Sequence, residues 1–322
     1  MGRARVILHI DPQYHDRFAQ TKRLAMFGKI HDIISARGGE VVLAPRPKGR
    51  LSVSEAQGDG DLHIVESSNA RGAGWLNSSI AYLTGYWHLD DKGILSGAEM
   101  AARGDVVPSG TPDAAKAAAF FADICARFKD KRRTRHQQPE TTTTLPEGCI
   151  AVFLQGRAPE RHGQHFFIGP EMIEAAARGA DGRAVLVKPH PLFIEEGAQM
   201  VADAQAQGLA VQLAQAHIHD LLAACAVTVS INSAAAIEGF LHGKPTILCG
   251  RGDFAALGET LIDPDDFAQT LHRALAAPRD YASWLYWYLT HHAIAIDAPD
   301  AEARILARFA GAGFDADRLG LR

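Results

Sequence analysis

The chain has 322 residues, a formal net charge of −4 and 47% hydrophobic residues, which suits a large core and two domains rather than one. Its charge gives no reason to expect a nucleic-acid partner. The four cysteines (Cys125, Cys149, Cys225, Cys249) lie far apart without a CxxC pair, so neither a zinc ribbon nor a disulfide framework is supported.

The N-terminal MGRARVILHID has an apolar run too short for a signal peptide and reads as a first strand. A helix over about 18–36 follows, then EVVLA and DLHIV as strands. This alternation is the signature of parallel α/β units. No uncharged apolar run reaches roughly 18 residues, so no membrane span is expected and the cytoplasm is the expected compartment. GDGD at 58–61 resembles a metal-binding pair of aspartates but precedes a strand, and reads as turn chemistry. The Gly-rich ARGAGWLN is expected to be a mobile loop. GYWHLDDKGIL, residues 85–95, reads as local aromatic packing, with a sugar-covering face as the lesser alternative.

Thr111-Pro112-Asp113 signals the start of a long helix. It runs into KDKRRTRHQQPETTTTLPEG, basic and then Thr-rich without apolar periodicity, which reads as a linker over 129–147. Its KDKRR run is expected to be a solvated helix end; a loose hold on an anionic membrane is the alternative. The α/β pattern then restarts. CIAVFLQ, AVLVK, LAVQL, VTVSI and PTILCG read as strands, and stretches from about Pro170, HDLLAACA and SAAAIEGFLHG as helices. The tail, DYASWLYWYLTHHA and DAEARILARFA, is helical, with Trp284, Trp287 and Tyr288 at core spacing. The expected fold class is therefore α/β: two Rossmann-like domains facing a cleft, 1–128 and 148–279, with helices over 280–322 packing along the lobes.

Three features fall just beyond strand carboxyl ends, where open parallel sheets bind ligands. Gln155 closes AVFLQ. Lys188-Pro189-His190-Pro191 follows the next strand, and its prolines restrict the backbone and hold the histidine. In VSINSAAAIEGF, Asn232 and Ser233 form the turn into a helix whose first-turn N–H groups and dipole make an anion site. Glu238, about one turn further in, is placed to accept from vicinal ribose hydroxyls. His190 and Lys188 are expected to bring positive charge to the same phosphate, or His190 to donate it a proton. Each feature alone has a plain structural explanation, Ser233 and Asn232 as helix caps and His190 as a stiff turn. Their succession at consecutive strand ends favours a joint site. His217/His219 and His291/His292 lack the spacing and carboxylate company of a metal site.

The order FLQ, VKPHP and SINSAAAIEGFLHGKPTILCG, within residues 150–252, resembles the bacterial capsule polysaccharide biosynthesis family, which includes the β-Kdo transferases that build the lipid-linked linker of group 2 capsules. More distantly it resembles bacterial sialyltransferases of the GT-B type. The resemblance implies a GT-B-like glycosyltransferase with a CMP-activated donor, CMP-Kdo foremost, and a glycan or lipid-linked saccharide acceptor. It implies that His190 and Ser233 contact the CMP phosphate, that Glu238 sits near the ribose or cytosine, and that Lys188 adds charge. Gln155 and Asn232 complete that donor set, and a single phosphate needs neither metal nor cofactor. In these enzymes an acidic residue, commonly Asp, follows the Leu-Gln strand end within a few residues. Here Gly156-Arg157-Ala158-Pro159 intervene and Glu160 is the nearest carboxylate, which leaves the catalytic carboxylate and the stereochemical outcome open. The N-terminal half is expected to hold the acceptor through His9, Glu66 and Asn69, with Asp11 or Glu66 as base. Two alternatives stand beside this: another donor (CMP-sialic acid, a UDP-sugar or CDP-glycerol), and a non-catalytic partner in polysaccharide assembly.

Overall fold

Strand Val6–Ile10 (β1) shows how the first sheet is built. Val6, Leu8 and Ile10 point to one face and enter a core with Leu62, Ile64 and Leu76, whereas Ile7 and His9 face the other way, as the two-residue period of a strand requires. Around β1 the strands Val41–Pro45 (β2), Leu62–Val65 (β3), Trp75–Ile80 (β4), Tyr86–Asp90 (β5) and Ile294–Ala295 (β12) assemble in the order β12-β5-β4-β3-β1-β2. β1 pairs in parallel with β2 and β3, and β3 with β4; β5 runs antiparallel to β4 and to β12. The computed structural model describes residues 2–14, 18, 24–46, 59–66, 70–103, 113–139 and 144–322.

Helix Ala25–Ala36 (α1) buries Met26, Phe27, Ile30 and Ile34, at the three-to-four spacing of one helix face. A short helix, Glu99–Arg103 (α2), closes this part of the chain. The tail returns to the same core. Helix Ala301–Gly311 (α11) inserts Ala301, Ile305 and Phe309, and the turn of helix Ala316–Leu319 (α12) adds Leu319. The chain divides into two compact units, one made of 1–102 with 287–322 and the other of 103–286. The tail beyond 287 is thus a component of the first unit. Of ARGAGWLN, expected to be a mobile loop, Trp75–Asn77 open β4 and are buried. GYWHLDDKGIL supplies β5, whose Tyr86 to Leu89 are buried, as the aromatic-packing reading expects.

The second unit begins with helix Ala114–Ile124 (α3), started by the Asp113 carboxylate, which accepts from the N–H groups of Ala115 and Lys116. This helix, expected in the first domain, groups with the second unit. The Cys125 thiol following it donates to the Leu241 carbonyl at 3.6 Å. Strands Cys149–Phe153 (β6), Val185–Lys188 (β7), Val211–Leu213 (β8), Cys225–Ser230 (β9), Thr246–Leu248 (β10) and Glu259–Thr260 (β11) form an all-parallel sheet in the order β11-β10-β9-β6-β7-β8. Helices Ala158–Arg161 (α4), Gly169–Arg178 (α5), Ile194–Ala206 (α6), Ile218–Ala224 (α7), Ala234–Leu241 (α8), Phe267–Ala276 (α9) and Tyr281–Trp287 (α10) complete it. Ile150 and Val152 of β6 pack with α5 and α9, while Cys149, Ala151 and Phe153 meet α7 and α8. α8 lies so close to β9 that a Cβ on Gly239 would stand 3.2 Å from the Thr228 methyl. Cys225, expected at the end of a helix, opens β9 directly opposite Cys149.

Among the described residues no helix is long and apolar enough to cross a membrane. Because Phe309 is wholly buried between tail and sheet, Phe309→Ala is expected to cost about 3–5 kcal/mol, measured as a lowered urea midpoint at unchanged slope.

Candidate functional site

In the second unit the chain lays β7 and β8 to one side of β6, then crosses back to place β9, β10 and β11 on the other. The carboxyl ends of β6 and β9 therefore frame a topological switch point, the crevice where such sheets receive ligands. Gln155 follows β6 and Asn232 follows β9, and the two bond reciprocally. The Gln155 Nε2 donates to Asn232 Oδ1 at 2.9 Å, and the Asn232 backbone N–H donates to Gln155 Oε1 at 2.9 Å. Asn232 Nδ2 donates onward to Gln164 Oε1 and to the Arg251 carbonyl. Both amides, expected to touch the donor, are thus committed to holding the loops.

Ser233 caps α8 by accepting from the Ala235 N–H at 3.2 Å, and its own N–H donates to Ser230 Oγ. The Ala236 N–H returns to the Ser233 carbonyl. Over residues 232–236 the Ala234 N–H is left as the one without a protein acceptor among the described residues. Ala234 and Glu238, four residues apart, share the part-exposed stripe of α8. Among the described residues no donor reaches the Glu238 carboxylate, and burial pushes its pKa up to about 8. At neutral pH Glu238 is therefore a carboxylic acid, not the carboxylate the sequence suggested.

His190 departs in the same sense from the expected cation. Its Nδ1 accepts from the Leu192 N–H at 3.1 Å, so the neutral ring carries its proton on Nε2. Burial first, then His136 and Arg135, lower its pKa to about 4. His136 meets it edge-on with ring centroids 5.0 Å apart. Phe193, 5.7 Å from the same ring, lies over Gly156 so closely that a Cβ there would stand 2.2 Å from the phenyl edge. Lys188 is buried, its pKa lowered by that burial, and its ammonium donates to the Ala216 carbonyl at 2.7 Å. It anchors the segment after β8 rather than presenting a charge at the start of α8. Glu160 lies half-exposed on α4, beside an Arg157 paired with Glu196 at 2.9 Å.

The first unit has its own switch point, between β1 and β3. Asp11 follows β1 and accepts from the Gln13 N–H at 3.2 Å. Glu66 follows β3 and is paired with Arg46 at 3.0 Å. His9 is buried, with Nε2 2.9 Å from His63 Nδ1 and Nδ1 3.4 Å from the Pro45 carbonyl; His63 Nε2 is in turn 3.0 Å from Asp59. Trp75 stacks on both imidazoles. Burial lowers the His9 pKa, and the bond from His63 lowers that of Asp59. Asn69 lies outside the described residues.

His63 and His136 escaped the sequence reading, which weighed Asp59 and His217 only as metal ligands. Asp59 stands in a turn-like GDGD, His63 alternates within an apolar strand, and His136 sits in a segment without periodicity. Among the described residues no group of three or more His, Cys, Asp or Glu side chains is placed to hold a metal ion.

Residues 163–292, which include His190, Asn232, Ser233 and Glu238, match the family model described as capsule polysaccharide biosynthesis protein. No curated protein sequence matches the chain. Among solved structures, the KpsC β-Kdo 2,7-transferase of Thermosulfurimonas dismutans is similar over 96% of this chain and 99% of its own, at 9% identity and a TM-score of 0.55. The β-Kdo 2,4-transferase of the same KpsC is similar over 88% of this chain and 90% of its own, at 14% identity and a TM-score of 0.49. The 2,7-transferase likeness shows a shared two-unit, GT-B-like fold along nearly the whole chain. The family match begins at residue 163 and leaves Gln155, Glu160 and residues 1–102 of the first unit outside it.

Two pH effects follow. Below about 6.5 the unfolded chain protonates His190, His217 and His242, which the fold holds down to about 4. Their contribution is complete above 6.5 and is lost as pH falls towards 4, so the thermal midpoint is expected to drop over that window. Glu238 acts at the other end, since the fold keeps its proton up to about 8 while the unfolded chain loses it from the ordinary carboxylate range. Its contribution erodes as pH rises, and the thermal midpoint of Glu238→Gln over wild type is expected to gain steadily between pH 5 and 8 and then level off.

Proposed function

We propose that the protein is a metal-independent glycosyltransferase of capsule polysaccharide assembly that transfers Kdo from CMP-Kdo to a glycan or lipid-linked saccharide. The observation that carries this reading is where the family match falls: its polar residues lie along the carboxyl edge of the second sheet, two of them at the switch point. A nucleoside monophosphate sugar has one phosphate to receive. The Nε2–H of His190, the Ser233 hydroxyl and the Ala234 N–H supply neutral donors for it, and the dipole of α8 adds to them. Hydrogen bonds aimed at the departing phosphate gain strength as its charge develops. Glu238, still protonated, offers the ribose an O–H donor as well as an acceptor.

The first unit then holds the acceptor. Asp11 removes the proton of the attacking hydroxyl, and Glu160 is the competing carboxylate within the second unit. A cytoplasmic protein with no spanning helix among its described residues would meet a lipid-linked acceptor at the membrane surface.

The test is calorimetric titration with CMP, UMP and GMP in the absence of divalent metal. CMP is expected to bind at least about tenfold more tightly than the other two, with binding lost in His190→Ala and Ser233→Ala. Equal affinity for all three, or none, would sink the CMP reading, while preference for UMP would move the donor to a UDP-sugar.

A further inference from the structure

Gly250-Arg251-Gly252, in the loop that follows β10, lies against the turn after β9. A Cβ on Gly250 would stand 2.5 Å from the Ile231 methyl and from the Gln164 carbonyl oxygen, and one on Gly252 would stand 3.6 Å from Asn232 Cβ. The two glycines thus allow a close approach, and the residue between them is fixed at both of its backbone groups. The Arg251 N–H donates to the Gln164 carbonyl at 2.7 Å, and the Arg251 carbonyl accepts from Asn232 Nδ2 at 2.9 Å. Asn232 leads directly into Ser233 and Ala234, so Arg251 is tied to the turn that carries both.

The side chain is not held in the same way. It is exposed, and its Nη1 is 3.4 Å from the Gly163 carbonyl, longer than an ordinary hydrogen bond. The guanidinium carbon lies 5.8 Å from the centre of the Phe166 ring. Among the described residues no carboxylate pairs with it. Other cations of this unit are engaged. Lys188 bonds the Ala216 carbonyl, and Arg157 pairs with Glu196. Arg132, in the segment expected to be a plain linker, makes a bidentate contact with Asp220 on α7. The donors assigned above to the phosphate, His190 Nε2–H, the Ser233 hydroxyl and the Ala234 N–H, are all neutral. They solvate a phosphate without balancing its charge.

We propose that Arg251 is the cation of the donor site and binds the phosphate of the nucleotide from the side opposite His190. This inference rests on the glycosyltransferase reading and adds a residue to the site which that reading describes. His190 follows β7 and Arg251 follows β10, so the two flank the switch point between β6 and β9. The guanidinium turns from Gly163 onto the anion at the start of α8. Because it is exposed beforehand, no charge is desolvated until the anion arrives. Its planar fork suits two phosphate oxygens. As the bond to the sugar breaks, the phosphate goes from one negative charge towards roughly two, and the attraction grows with it.

The experiment titrates CMP and cytidine into wild type, Arg251→Ala, Arg251→Lys and Arg161→Ala, with the uridine and guanosine pairs beside them. Arg251→Ala is expected to lose about tenfold or more in CMP affinity, the scale of a charge-assisted bond, while cytidine affinity stays within about twofold of wild type. Arg251→Lys should fall between, since it keeps the charge without the fork. Arg161, exposed on α4, is the control, and Arg161→Ala should match wild type throughout. An Arg251→Ala protein that binds CMP as wild type does, or that loses cytidine in the same proportion, overturns the assignment, because a residue that only shapes the loop affects both ligands or neither. If UMP or GMP is bound instead of CMP and Arg251→Ala weakens that nucleotide but not its nucleoside, the CMP reading falls and Arg251 stands. If CMP is preferred and Arg251→Ala leaves it unchanged, Arg251 falls and the CMP reading stands. A wild type that binds no nucleotide removes both.

Discussion

The reciprocal amide pair of Gln155 and Asn232 holds the crevice of the second sheet in shape. It joins the exits of β6 and β9 at the point where the sheet changes direction, and Asn232 extends it to Gln164 and to the Arg251 carbonyl. Four segments are thereby tied through two side chains, beside the antiparallel bridge of His165 with Gly250. Each bond adds only about 1 kcal/mol net, yet removing either amide strands several polar partners at once. The consequence is a division of labour. Gln155 and Asn232 set the position of the turn, and Ser233 and Ala234, which the turn carries, remain available to a ligand.

The same economy governs charge. An empty pocket lined with cations would suffer both desolvation and mutual repulsion. Here the groups nearest the expected phosphate are uncharged at neutral pH, because His190 has its Nδ1 occupied by a backbone N–H and Glu238 keeps its proton. Lys188, the cation closest in sequence, instead bonds a carbonyl. Arg132, between α3 and β6, is balanced by Asp220 of α7. A bound anion would raise the histidine pKa values, so binding and proton uptake are coupled in this arrangement.

Much of this was legible in the sequence where period and punctuation agree. The apolar runs of β1, β3, β6, β7 and β9, the Asp113 and Ser233 caps, and the placement of His190, Ser233 and Glu238 beyond strand ends all follow from local rules. What escaped was long-range. The tail joins the first unit because Ile294 pairs with Trp87 and Phe309 enters the first core, and no local pattern states which sheet a distant strand completes. Arg132 and His136 gained their roles through Asp220 and His190, residues 88 and 54 positions away, in a stretch whose composition says only that it is polar. The protonation states of His190 and Glu238 were hidden for the same reason, since burial is a property of the assembled site.

In the first unit, counting protons narrows the chemistry. The chain Pro45–His9–His63–Asp59 ends on an acceptor at both sides, with two imidazoles between. Three contacts need three protons, and two neutral rings carry two. Either the pair holds one extra proton, balanced by the Asp59 carboxylate, or one contact is not a hydrogen bond. The contact to Pro45, at 3.4 Å, is the longest and is the one given up. In both cases His63 takes His9 Nε2, and His9 Nδ1 faces a carbonyl. Neither nitrogen is open to an acceptor hydroxyl, so His9 serves the switch point as packing beneath it, stacked with Trp75. Of the two carboxylates above, Glu66 is neutralised by Arg46. Asp11 accepts from the Gln13 N–H of its own loop and has no cation against it among the described residues, so of the two it is the carboxylate not committed to an ion pair.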